Sequence, residues 1–495
     1  MRLLLWFRHS DALKVILFLL ALIVLRITLV PTLYTFDSAE FATAAWTLGL
    51  PHAPGYPLYV LSAHIFASLM PPGIDVAGKV NLYSAFCLAL AAPALYSMLL
   101  RLFSRRWLAF GVVLVWLWSY QVWSAGIVAE VYAAQAATLA WTGWALTTLP
   151  DSSWRSVLLS SVAFGVALGV HPGSVLFAPG VGAAFVMSRV PLRRSLVAGL
   201  VCALVFFLSL LYLPVRYLDD PSLTLLGEYD ALGRFIPVDL TTPDGLLWVL
   251  SGAQFNDLFF NTGSSTFLDR VLQFVGWLWS NFLGLGAMVG MVGIWALRTC
   301  RRLLLVWVLC VAPFTLFYLT YAAPDVETML VPLYLVWIVV FAAGWCWFAE
   351  AVGDRAIIVL FIYALALFLL NYPLVDGSRD YSVRHRAEIT LDSMPEEAIV
   401  FGDWFDLVPL QYLQLVEGVR PDLRLYNLFL FKEATLSKWL ADLLQHREAI
   451  VLLGEARSVT HLPLQGVHIE PVSFSATLSE VERLRLKASI LSISG

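Results

Sequence analysis

Charge is scarce in this sequence. Only 13% of its 495 residues are Asp, Glu, Lys or Arg, about half the ~25% usual in soluble domains. With 60% hydrophobic residues and a mean hydropathy of +0.79, a single water-soluble core is excluded and the chain reads as an integral membrane protein. Short alternating strands are also missing. The apolar residues come in long unbroken runs, which favours transmembrane helices over a β-barrel. No basic stripe accompanies the net charge of −4, so no nucleic-acid partner is expected. Cysteines number five, Cys87, Cys202, Cys300, Cys310 and Cys346, all in apolar runs or at their cytoplasmic ends; no structural disulfide and no metal cluster is expected. Residues 12–30 are too long for a signal-peptide core and lack a cleavage site, so they read as a first membrane helix. There is no internal repeat, and the paired broken helices of many transporters are not found.

What charge there is lies unevenly. Residues 376–495 hold 29 of the 66 charged residues, which divides the chain into a membrane part, 1–375, and a soluble part, 376–495, joined near Asn371–Ser378. Apolar runs near 12–33, 80–101, 107–120, 128–149, 156–170, 173–188, 195–215, 270–297, 303–321, 329–349 and 356–372 give eleven expected helices. The two flanking His171-Pro172-Gly173 are short for spans. Placing the N-terminus in the cytoplasm puts 14 of the 19 basic residues before position 376 on the inner side, as the positive-inside rule requires. An odd helix count then leaves the C-terminal part outside a cell (inner) membrane. Two long segments, 34–79 and 216–269, fall on that outer side, and long loops tend to carry function. In the C-terminal part, strands at Ala398–Gly402, Leu423–Leu428 and Ala449–Leu453 alternate with helices at Leu407–Val416 and Leu436–Gln445. That alternation implies a small α/β unit with a short parallel sheet. It has no glycine-rich phosphate loop.

Directly after the first helix stands Thr35-Phe36-Asp37-Ser38-Ala39-Glu40-Phe41. Carboxylates at an outer membrane surface are placed to deprotonate a hydroxyl or hold a cation. The same spacing also suits a capping box, with Asp37 as N-cap and Glu40 three residues on. His52, in the rigid turn Pro51-His52-Ala53-Pro54-Gly55-Tyr56-Pro57, could bind phosphate or position an acceptor, or be a hydrogen-bonded structural histidine. Glu130, in Glu130-Val131-Tyr132, either lines a cavity or caps a helix. His171 is either a phosphate ligand or a turn residue. Arg216 breaks the positive-inside pattern, and its guanidinium suits a lipid-linked phosphate or snorkels to headgroups. Asp325 and Glu327 close the same cavity or cap the next helix. Under this topology all these polar groups face outward, which describes one external site rather than a path through the bilayer.

These motifs carry a resemblance. Asp37-Ser38-Ala39-Glu40-Phe41, Thr47-Leu48-Gly49 and His52-Ala53-Pro54-Gly55-Tyr56-Pro57-Leu58-Tyr59 are similar to the family of the eukaryotic transmembrane protein 260 O-mannosyltransferase, which has many bacterial members of unknown function. Ala129-Glu130-Val131-Tyr132, Leu168-Gly169-Val170-His171, Tyr212-Leu213-Pro214-Val215-Arg216, Pro324-Asp325-Val326-Glu327 and Gly418-Val419-Arg420-Pro421-Asp422-Leu423 extend the similarity over nearly the whole chain. Ala39 stands where many members have glycine. The resemblance implies a GT-C glycosyltransferase that takes a hexose such as mannose from a polyprenyl-phosphate donor. The acceptor would be a hydroxyl of a protein or glycan on the extracytoplasmic face. It implies Asp37 as catalytic base with Glu40 in support, and His52, Tyr56, Glu130, Tyr132, His171, Arg216, Asp325 and Glu327 as substrate-binding residues. A single displacement on a β-linked donor would invert the anomeric centre, with no metal and no further cofactor. A transporter or flippase of a lipid-linked substrate would need polar residues at mid-membrane depth, which are scarce. A non-enzymatic envelope scaffold would need no cavity at all.

Overall fold

The structure is a computed structural model that describes residues 2–261, 266–432, 450–453, 467–471 and 488–493, with Leu436, Trp439, Asp442 and Leu443. Each of the eleven apolar runs holds a helix. α1 (Arg2–Ile27) is followed by two short helices in the first long segment, α2 (Ser38–Thr47) and α3 (Pro57–Leu69). Then come α4 (Val76–Phe103), α5 (Arg106–Leu117), the short α6 (Tyr120–Ala125), α7 (Val131–Leu146) and α8 (Trp154–Val170). A 3-10 turn over Pro172–Phe177 leads into α9 (Ala178–Met187), and α10 (Leu192–Leu210) runs on as α11 (Tyr212–Leu218). The second long segment holds a small hairpin, β1 (Gly227–Tyr229) and β2 (Phe235–Pro237), and α12 (Pro243–Leu250). The apolar part ends with α13 (Phe267–Asn281), α14 (Leu285–Leu297), α15 (Arg301–Leu319), α16 (Val331–Val352) and α17 (Arg355–Val375).

Five of these elements are long and apolar enough to cross a membrane: α4, α10 with α11, α15, α16 with its preceding turn, and α17. The chain is a multi-pass membrane protein. α13 and α14 would make a sixth span if they were continuous, but they meet at 108°. The single helix expected over 270–297 is therefore broken. The break falls where Leu283 and Gly284 take positive φ angles of 46° and 68°, a conformation no helix interior accepts. α13 is also apolar on one face only, with Leu268, Leu272, Val275 and Trp279 exposed on it, the pattern of a helix lying along an apolar boundary.

Small residues let the helices close up. A Cβ added at Gly293 of α14 would stand 1.7 Å from the Val340 carbonyl oxygen, and one at Gly344 of α16 would stand 2.1 Å from the Val289 oxygen. The two backbones touch directly.

The C-terminal part contains α18 (Ser382–Asp392), β3 (Ile399–Gly402), α19 (Trp404–Glu417), β4 (Arg424–Asn427), β5 (Ile450–Leu453), β6 (Val467–Pro471) and β7 (Ala488–Ile493). The sheet order is β4-β3-β5-β7-β6. The first three strands are parallel, as the alternating pattern predicts. β7 and β6 join antiparallel at one edge, a mixed sheet the sequence reading does not contain. The expected helix at Leu436–Gln445 lies largely outside the described residues. This part is not set apart from the helices: Leu407, Leu410, Tyr412 and Leu413 of α19 belong to the same apolar core as α2 and α4. The Tyr412 hydroxyl accepts from the Ala77 N–H at the head of α4 at 3.0 Å. Arg384 of α18 pairs with Asp75 (2.8 Å), Glu388 (2.8 Å) and Glu417 (2.7 Å), tying α18 and α19 to the start of α4.

Candidate active site

After α1 the chain leaves helical geometry as a strap. Buried Asn81 of α4 donates its amide hydrogens to the Val30 and Thr32 carbonyls at 2.8 and 2.9 Å. A Cβ at Gly78 would lie 2.4 Å from the Pro31 oxygen, so only glycine lets the strap lie this close. The strap delivers Asp37 to the head of α2. Asp37 makes no capping hydrogen bond with its side chain. Glu40, 1% exposed, turns away from the helix end and accepts from the His52 backbone N–H at 2.7 Å, while His52 Nδ1 lies 2.9 and 3.0 Å from its two oxygens. The capping box is therefore not formed. His52 Nε2 lies 3.0 Å from the Tyr56 hydroxyl and 3.9 Å from Asp37 Oδ2. The turn that presents this histidine depends on Gly55, whose φ is +79° and whose absent Cβ would meet Leu213 Cδ2 at 2.8 Å.

The charges follow from this packing. Burial raises Asp37, the nearby His52 pulls it back, and Glu40 and Asp325 push it up again, to about 7 in all. Burial alone would lower His52, but the Glu40 and Asp37 carboxylates outweigh it and raise the ring to about 9. At neutral pH His52 is thus an imidazolium between two carboxylates, and Asp37 is poised to take or release a proton. His171 behaves oppositely: burial and the charge of His52 lower it to about 4. Its Nδ1 accepts from the Gly173 N–H at 2.9 Å, so the neutral ring carries its hydrogen on Nε2. Burial also raises Asp325, against the pull of His52.

Asp37, His52, Tyr56, Tyr132, His171 and Asp325 line one chamber of about 590 Å³, within the ~300–1,000 Å³ range of ligand pockets. A second cavity of about 800 Å³ runs between α8, α9 and α10, walled by groups such as Phe164, Phe185, Ala198, Gly199 and Phe206. It is almost wholly apolar, and the two share Pro172, Val175 and Leu250 as lining residues. An apolar trough thus adjoins a polar chamber.

Other expected site residues lie elsewhere. Glu40 stands behind His52 rather than in the chamber wall. Arg216 is outside the lining: its Nε donates to the Leu48 carbonyl at 2.7 Å and its Nη1 to Asp219 at 2.7 Å. Glu327 accepts from the Gln121 side chain and is also outside it. Glu130 is buried, and its Oε2 has no hydrogen-bond partner among the described residues. Asp37, Glu40 and His52 offer ligand atoms within 4.8 Å of one another and could hold a metal ion, although Glu40 and His52 Nδ1 already face each other there.

The chamber also has walls absent from the sequence reading. Phe255 comes from the second long segment, and Trp404, Phe405 and Phe429 from the C-terminal part. Gln254 fixes the first of these in place, accepting from Ala53 N–H at 2.9 Å and donating to the Leu225 carbonyl at 3.0 Å. One signal did point to the others: Trp404 and Phe429 follow the C-terminal ends of the neighbouring parallel strands β3 and β4, where ligand sites of α/β sheets collect.

Residues 37–194 match the family model described as Protein O-mannosyl-transferase TMEM260 N-terminal domain. The chain resembles that family over this segment. It is 26% identical over 489 residues to the Protein O-mannosyl-transferase TMEM260 of Mus musculus, covering 90% of this chain and 65% of that protein. It is 25% identical over 126 residues to the tmem260 protein of Dictyostelium discoideum, covering 25% of this chain and 15% of that one. The chain therefore spans less than two thirds of the length of either relative. The solved structure of ArnT from Cupriavidus metallidurans bound to undecaprenyl phosphate superposes with a TM-score of 0.60 at 12% identity, over 96% of this chain and 97% of ArnT. The chain thus has the GT-C fold of that structure, shared over nearly the whole of both chains.

Proposed function

We propose that this protein is a membrane glycosyltransferase that moves a hexose from a polyprenyl-phosphate donor to an acceptor hydroxyl of a protein or glycan. The observation that carries the reading is the junction of the two cavities, an apolar trough fit for a lipid chain beside a chamber containing an activated carboxylate. Asp37 is the base that takes the acceptor proton. The acceptor oxygen forms its bond to the anomeric carbon as the carbon–oxygen bond to phosphate breaks, and the lipid phosphate departs with the bonding pair. The His52 imidazolium and the His171 Nε2–H supply positive charge and a donor for that departing phosphate. Glu40 keeps His52 protonated and oriented, and no metal is required. A β-linked donor gives an α-linked product. Arg216 braces the Leu48 turn against α11. The chamber lies on the extracytoplasmic face of the cell membrane, with the N-terminus cytoplasmic and residues 376–495 outside.

The similarity to proteins named O-mannosyl-transferase supports mannose as the sugar. Purified protein incubated with a panel of polyprenyl-phosphate sugars and hydroxyl acceptors should release lipid phosphate as sugar is transferred, equally with and without a chelator. No transfer from any donor would sink the reading, and loss with chelator would assign a metal to Asp37, Glu40 and His52.

The trough makes its own prediction. Gly199 lines it, and a Cβ there would meet nothing within 4 Å, so Gly199→Trp can fill the space without unfolding α10. The KM for a long-chain donor should rise on the order of tenfold, and that for a donor with a short prenyl chain far less. Equal effects on both donors would remove the trough from lipid binding.

A further inference from the structure

Four rings in the chamber wall form a closed circuit of contacts. His52 meets Phe255 at 5.6 Å between centroids, Phe255 meets Phe429 at 5.6 Å, Phe429 meets Trp404 at 5.7 Å, and Trp404 returns to His52 at 5.5 Å. Three separate parts of the chain supply them. Three of the four are edge-to-face and the Phe255–Phe429 pair is tilted at 34°, contacts that hold aromatic rings in fixed orientations. The indole Nε1 of Trp404 is buried and faces the Asp37 carboxylate, acting on it as a donor that favours the anion, although the contact falls short of ordinary hydrogen-bond geometry.

The chemistry of the missing ligand can be read from the wall. It offers aromatic surface beside a base. A pyranose ring has an apolar C–H face that suits aromatic surface. We infer that Trp404, with Phe255 and Phe429, forms the subsite for the hexose ring of the lipid-linked donor, the rings taking its C–H face while the indole N–H holds the Asp37 carboxylate in line. The inference rests on the glycosyltransferase reading and goes beyond it, because it makes the C-terminal part a component of sugar recognition. The donor ring is the occupant because its anomeric carbon must lie beside the acceptor oxygen that Asp37 deprotonates. The trough delivers the lipid end to the same chamber.

The test uses the full chain in lipid nanodiscs, with two ligands, a polyprenyl-phosphate hexose and the bare polyprenyl phosphate. Trp404→Leu should weaken binding of the sugar-bearing lipid on the order of tenfold and leave the bare lipid phosphate within about twofold of the parent. Trp404→Phe keeps the ring and removes the N–H. It should bind the sugar-lipid nearly as the parent does but move the acid limb of the pH–rate profile upward, since Asp37 loses a donor that favours its anion. Sugar-lipid binding unchanged in the leucine variant, or lost equally with the bare lipid, overturns the subsite. If the leucine variant does not fold, an unmoved acid limb in the phenylalanine variant overturns it instead. A parent protein that binds neither lipid would overturn the glycosyltransferase reading itself, an outcome distinct from a parent that transfers sugar regardless of residue 404.

Discussion

Asp37→Asn should lower sugar transfer by about a hundred- to ten-thousandfold, the usual cost of removing a general base, while the folded protein is at least as stable as the parent. The first half follows from position: Asp37 opens on the chamber and spends none of its hydrogen-bonding capacity on capping α2. The second half follows from the raised proton affinity. A carboxyl that titrates near 7 when folded and near its ordinary 3.8 when unfolded favours the folded state at low pH. That contribution is lost as pH rises from about 4 to about 7, because the unfolded chain releases the proton first. At pH 8 the neutral asparagine escapes this cost. The same assignments give the parent a bell-shaped profile of kcat/KM. Activity rises as Asp37 ionises near 7 and falls as His52 loses its proton near 9. Glu40→Gln removes the largest Coulombic support of the imidazolium and should pull the alkaline limb downward. Near-parent turnover in a stable Asp37→Asn protein would end the assignment, and a rate flat between pH 6 and 8 would contradict it independently.

Gly344→Leu should abolish the folded protein altogether. α14 and α16 approach so closely that the first carbon of any side chain at Gly344 would fall on the Val289 oxygen. Overpacking a well-filled interior costs about 1–3 kcal/mol when side chains can yield, and here the obstruction is main chain on both sides. The helices must separate, losing contact along their length. Fluorescence-detected size exclusion of the solubilised variant should show aggregate in place of the parent's single peak, and Gly353→Leu, where a Cβ meets nothing within 4 Å though φ is +72°, should be much milder. A monodisperse Gly344→Leu protein with the parent's melting temperature would mean that the helix contact is looser than described.

How far the sequence reaches is set by the range of the forces involved. Apolar runs are local, so the long apolar helices of the membrane part could be placed, though not the short α2, α3, α6 and α12, and the parallel strands β3, β4 and β5 were legible from alternation. The bend between α13 and α14 was not, because apolar residues run on through 270–297 and Gly284, where the chain breaks, is one of five glycines in that run. In the site, Asp37, Glu40, His52 and Tyr56 were legible because they crowd into twenty residues around one turn. Arg216 shows the opposite case. Its type suggests a phosphate, but its partner is a carbonyl at Leu48 that only tertiary structure brings near. Trp404 and Phe429 sit in a part of the chain that reads as an ordinary soluble unit, where large aromatics usually mean core, and nothing local says that they face His52.

That late contribution to the chamber has a consequence for how the protein is made. Synthesis runs from low residue numbers to high, so Asp37 and His52 are made early, while Trp404, Phe405 and Phe429, which wall the same chamber, follow more than 350 residues after His52 and must reach the same side of the membrane before they can dock. A half-made chain therefore carries Asp37 beside an open cleft and has no means to hold a reactive sugar against it. On the glycosyltransferase reading the chamber is complete only when α19 has folded against α2, so a product interrupted before it should be inert rather than indiscriminate.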